Sequence, residues 1–144
     1  MNSAHQTSNL CRIERNDLPS MVSTLCSYEN LFGPYHPHTL RLTAEAGLAF
    51  WHFGECAYAR PLLERAIRDL GRYLGREHEA RLRAIAGLRD LLLNEGDYEQ
   101  ARAIQMELLE CQNRRLGPDH PETVAARDNL ATIRLAAPNE GREV

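Results

Sequence analysis

At 144 residues, 43% hydrophobic and 26% charged, the chain has the balance of one ordinary globular domain, long enough to bury roughly two thirds of its unfolded surface. A formal net charge of -3, with no run of basic residues, provides no field to hold a nucleic-acid backbone, so nucleic acid is not an expected partner. No window approaches the roughly 18 apolar residues of a membrane span, and the first 17 residues lack the apolar core of a signal peptide, so no membrane association is expected and the cytoplasm is the expected location.

All 17 basic residues are arginine, which the coding bias of a GC-rich genome explains more simply than a design for bidentate anion contacts. Cys11, Cys26, Cys56 and Cys111 form no C-x-x-C pair and no Cys/His spacing typical of zinc, so they are expected to be reduced and mostly buried. His36-Pro37-His38 and Glu77-His78-Glu79 each offer potential metal ligands without a second cluster. They read as residues that start helices, and no metal or cofactor is expected.

In chain order, residues 1–16 are polar and read as a tail. Residues 18–32 form one helical stretch, 36–53 and 56–74 a helix pair, 79–94 and 97–116 a second pair, and 121–136 a single last helix. Residues 137–144 read as a second tail. The second pair shows the pattern plainly: Leu82, Ile85, Leu88 and Leu92 recur at three- and four-residue spacing, Asn94-Glu95-Gly96-Asp97 interrupts, and Tyr98, Ala101, Ile104 and Leu108 resume. Asp97 is placed to cap the following helix. Gly117 lies where a helix C-terminus needs a left-handed residue, with a proline behind it, and Pro121 suits the first turn of the next helix.

The chain also matches itself. Gly33, Gly75 and Gly117 recur every 42 residues, as do His36, His78 and His120, and Leu40, Leu82 and Val124. Gly54 with Gly96, Ala59 with Ala101, and Leu74 with Leu116 keep the same interval. A period held at this many positions is the mark of a solenoid, and Leu116-Gly117-Pro118-Asp119-His120-Pro121 is the junction between its units.

The pattern resembles the tetratricopeptide repeat, in the 42-residue form of kinesin light chains and bacterial signalling proteins. Gly54-Glu55-Cys56-Ala57-Tyr58-Ala59-Arg60 and Gly96-Asp97-Tyr98-Glu99-Gln100-Ala101-Arg102 occupy the family's helix-turn-helix corner. Gly47 and Ala59 match its small residues at the close helix crossing; Arg89 departs from the small residue expected opposite Ala101, and Ala131 restores it. The resemblance implies an all-α fold, a right-handed α-solenoid of antiparallel helix pairs with about six helices over 17–136. That span divides into a half repeat 17–32, repeats 33–74 and 75–116, and a half repeat 117–136.

The resemblance further implies a non-enzymatic adaptor or scaffold whose concave groove, lined by the first helix of each pair, binds a segment of a partner protein. Carried onto this chain, the inward positions are Arg41, Ala44, Leu48, Trp51 and His52, then Arg83, Ala86, Asp90, Leu93 and Asn94, then Ala125, Asp128, Thr132 and Leu135. The clamp by which some members grip the C-terminal carboxylate of chaperones needs Lys and Asn where this chain has Ala44 and Leu48. A backbone-binding row of Asn would fall on Glu45, Gly87 and Asn129, where only Asn129 fits. The candidate binding residues are therefore Arg41, Leu48, Trp51, His52, Arg83, Asp90, Leu93, Asn94, Asp128 and Asn129, and the expected partner segment is acidic and apolar. Trp51 stays open between groove anchor and repeat seal, and the two arginines between partner contacts, plain solvation and pairing with Asp90 or Glu45.

Catalysis would need a nucleophile with its base, a carboxylate pair or a metal cluster, and none converges in the sequence. His52 and Cys56 come nearest, but the helix-breaking Gly54 falls between them. The last helix is expected to expose Val124, Ala131 and Leu135, to be covered by residues 137–144 or by a second chain in a homodimer.

Overall fold

The computed structural model describes residues 14–137, so both expected tails lie almost wholly outside the described residues. A 3-10 turn, Arg15–Asp17, leads into six α-helices: α1 (Leu18–Phe32), α2 (Pro37–His52), α3 (Cys56–Tyr73), α4 (Glu79–Asn94), α5 (Tyr98–Leu116) and α6 (Pro121–Ala136). There is no strand among the described residues. Each helix packs on the next, and α2 also packs on α4. This is the all-α helical solenoid implied by the 42-residue period.

The recurring histidines are caps. His36, His78 and His120 each use Nδ1 to accept the backbone N–H two residues on, from His38 at 3.2 Å, Ala80 at 3.1 Å and Glu122 at 3.2 Å. Each thereby satisfies one of the amides a helix start leaves unpaired, and each marks the start of α2, α4 or α6. Asp97 caps α5 through Gln100 N–H at 3.2 Å. Gly33 and Gly117 adopt φ 88°, ψ 161° and φ 89°, ψ 164°. That region is open essentially to glycine alone, so the junction turn is extended with positive φ rather than the left-handed helical turn expected.

The core runs along the stack. Leu40, Leu63, Leu70, Leu91 and Leu92 are fully buried, and Ala59 and Ala101 have no exposed surface. At the first crossing a β-carbon on Gly47 would come within 2.9 Å of the Leu63 side chain and 3.1 Å of its backbone nitrogen, so α2 and α3 approach as closely as they do only because position 47 is bare. Where the sequence departs at Arg89, the structure compensates with polar contacts: Arg89 Nη1 donates to Gln105 Oε1 at 2.9 Å, and Gln105 Nε2 donates to the Ala126 carbonyl of α6 at 2.8 Å.

A buried arginine, Arg81, occupies the equivalent of two threonines. Thr39 and Thr123 donate to the carbonyls of Tyr28 and Gln112, eleven residues back at the end of the preceding helix. In the middle repeat Arg81 stands there, donating to the Ile67 carbonyl at 3.0 Å, the Arg76 carbonyl at 2.8 Å and Glu107 at 2.6 Å. Gly71 makes room, since a β-carbon there would lie 2.8 Å from Arg81 Nε. Burial raises the Glu107 carboxyl, but hydrogen bonds from Arg81 and Arg76 outweigh it and hold the group below the ordinary glutamate range.

The cysteines differ from expectation. Cys111 is buried, Cys56 is half-buried and Cys26 is exposed, all three free; Cys11 lies outside the described residues. Cys26 holds the outward register that Arg68 and Glu110 hold in the next repeats, which explains its exposure. On α6, Val124 (38%) and Leu135 (87%) are exposed, as is Ala131.

Candidate functional site

Between α2 and α4 opens a cleft of about 300 Å³ lined by Arg41, Ala44, Glu45 and Leu48 on one wall and His78, Glu79, Ala80 and Arg83 on the other. The 42-residue period places Arg41 and Arg83 at the same turn of α2 and α4, and both exposed side chains line this cleft. Neither makes a hydrogen bond or ion pair with the described residues: Asp90 is held by Arg89 at 2.9 Å, and Glu45 makes no ion pair with Arg41. Two unpaired guanidinium forks beside an Ala44–Leu48 floor can bind a carboxylate attached to an apolar group.

The seam below this cleft is closed from within. A β-carbon on Gly87 would collide with the Leu48 side chain, so Leu48 lies across the bare backbone of α4. One repeat on, the equivalent pair is Asp90 and Asn129, both exposed. That seam, between α4 and α6, holds a second cleft of about 300 Å³, lined by Glu79, Leu82, Arg83, Ala86, Leu108, Gln112, Arg115, Leu116, His120 and Glu122. It reaches the floor helix α5, and Gln112 Oε1 there is buried without a hydrogen-bond partner among the described residues.

The remaining candidates line neither cleft. Trp51 and Leu93 are half-buried and pack against the main core cluster, toward the C-terminal ends of α2 and α4. His52, Asp90, Asn94, Asp128 and Asn129 are exposed. His52 stands edge-on to Phe53 at 5.0 Å, and no hydrogen bond joins it to Cys56. No group of three His, Cys, Asp or Glu among the described residues could hold a metal ion, and no described helix is long and apolar enough to cross a membrane.

Residues 84–139 match the family model described as tetratricopeptide repeat. Over that stretch the chain is built of tetratricopeptide repeats. No curated protein matches the chain significantly. Tetratricopeptide repeats mediate protein–protein interactions and are typically non-enzymatic scaffolds, and the two clefts occupy the first-helix face of the repeats. The sequence places Arg41, Ala44, Leu48, Arg83 and Ala86 on this face, but not His78, Glu79 or the α5 residues of the second cleft. The period held the signal: Arg41 with Arg83, Ala44 with Ala86, and His78 with His120 are each 42 residues apart. The histidines were read as punctuation alone, although a cap at the start of a first helix also faces the seam.

Proposed function

We propose that this tetratricopeptide repeat protein is a non-enzymatic interaction module that holds a short acidic and apolar segment of a partner protein along the face formed by α2, α4 and α6. One observation carries the reading: Arg41 and Arg83 share a cleft and have no carboxylate partner among the described residues. An adaptor role follows, because a module that recognises a segment and performs no chemistry acts by bringing proteins together. Affinity capture from the source cells, followed by mapping of the bound segment, identifies the ligand. Arg41→Ala and Arg83→Ala should then each weaken binding, by about 1–3 kcal/mol where the bound carboxylate is desolvated and by well under 1 where the pair stays at the wet rim. The loss should shrink in high salt. Unchanged affinity in both folded variants moves the site elsewhere.

A second reading, self-association within a larger complex, draws on Leu135 and Val124 on α6. Sedimentation over a hundredfold concentration range tests it. A mass that grows with concentration and reverts in Leu135→Glu supports a homodimer through the terminal helix.

A further inference from the structure

The two clefts are one site repeated, and their differences define a motif. Arg41, Ala44 and His78 of the first correspond to Arg83, Ala86 and His120 of the second, while Arg83 on the far wall of the first corresponds to Ala125, which does not line the second. Each cleft thus has two arginines: Arg41 and Arg83 stand on opposite walls of the first, whereas in the second Arg83 is joined by Arg115 of the floor helix α5. The clefts also differ in depth. The second cleft reaches Leu108 and Leu116, whose equivalents in the preceding repeat, Ala66 and Leu74, do not line the first cleft. The reason lies in the seams: Leu48 over Gly87 closes the one, and Asp90 with Asn129 leaves the other open.

We propose, building on the groove-binding reading above, that the clefts together read one motif in the partner segment: an acidic side chain between Arg41 and Arg83, and a large apolar side chain three residues away on Leu108 and Leu116. Glu45 and Glu79 also line the first cleft, outside ion-pair distance of the two arginines. Their charges disfavour a second acid beside the one held by the arginines. The spacing comes from the helices. Packed helices lie about 8–10 Å apart, and an extended chain covers about 3.3 Å per residue, so neighbouring clefts are about three residues apart along a bound strand. Sharing Arg83 and Glu79 keeps the two clefts contiguous.

The test selects binders from a random dodecapeptide library displayed on phage, using the full chain, Arg41→Ala and Ala86→Phe, the variants first checked for wild-type helical content and melting temperature. Ala86 is half-buried in the wall of the second cleft, so phenylalanine there fills it. The wild-type chain should enrich peptides with an acidic residue three positions from Leu, Met, Phe or Trp. Arg41→Ala should cut the acidic preference at least tenfold and keep the apolar one, and Ala86→Phe should do the reverse. Enriched peptides with another spacing, with a basic residue drawn by Glu45 and Glu79, or with preferences unmoved by both variants overturn the motif and leave groove binding standing. No enrichment over an unrelated helical protein overturns both.

Discussion

His36 caps α2 and touches neither cleft, so it isolates the structural half of the repeat signature. His36→Ala should cost about 1 kcal/mol in chemical denaturation, the usual loss for a helix cap, whereas His36→Asn should stay near wild type because its side-chain oxygen accepts the same amide. Equal losses in both would assign the histidine to packing against Phe32, whose ring lies 4.9 Å away. Glu107 makes the other residue-scale prediction. Its carboxyl lies below its ordinary value in the fold, so the stability it contributes is complete above its unfolded pKa of about 4.3 and is lost as pH falls through the lower folded value. Melting temperature followed from pH 6 to pH 3 should therefore fall more steeply in wild type than in Glu107→Gln. Neither Arg81 nor its link to Glu107 was legible beforehand, since an arginine at a threonine's register reads as a surface charge until Gly71 is seen to make room for it.

At the scale of elements, helix bounds were the most legible feature. The single helices 18–32 and 121–136 were placed to the residue, and the paired helices within one residue at each end, because apolar periodicity and the caps agree. Helix spacing was legible only where a small residue marked it. Gly47 was read as a crossing, but Gly87 was not read as the seat of Leu48, since that contact joins helices of different repeats. Ala101 has no exposed surface, so Ala101→Arg should overpack the α4–α5 crossing and cost more than the ~1–3 kcal/mol usual for added core volume. A wild-type melting temperature would place Ala101 off that crossing. Trp51 belongs partly to this scale: half-buried against the core, it should lower stability by about 1–3 kcal/mol when cut to alanine, so affinity loss in that variant is to be read only after its fold is measured.

For the whole molecule, the period that fixed the fold also fixed where recognition is placed, because repeating a helix pair every 42 residues repeats one surface site. The sequence could show that Arg41 and Arg83 were equivalent, but their convergence on one cleft depends on α2 meeting α4, a contact between elements forty residues apart. The second cleft was illegible for the converse reason, since it arises where α6 fails to close on α4. The central claim is that the paired arginines receive a carboxylate of the partner. The most direct measurement is a charge-swap cycle: affinity of the captured partner segment, and of the same segment with its acidic residue changed to arginine, for wild type and Arg83→Glu. The account predicts that each single change weakens binding at least tenfold and that the double change recovers most of the loss. Losses that simply add, with no recovery, would contradict it.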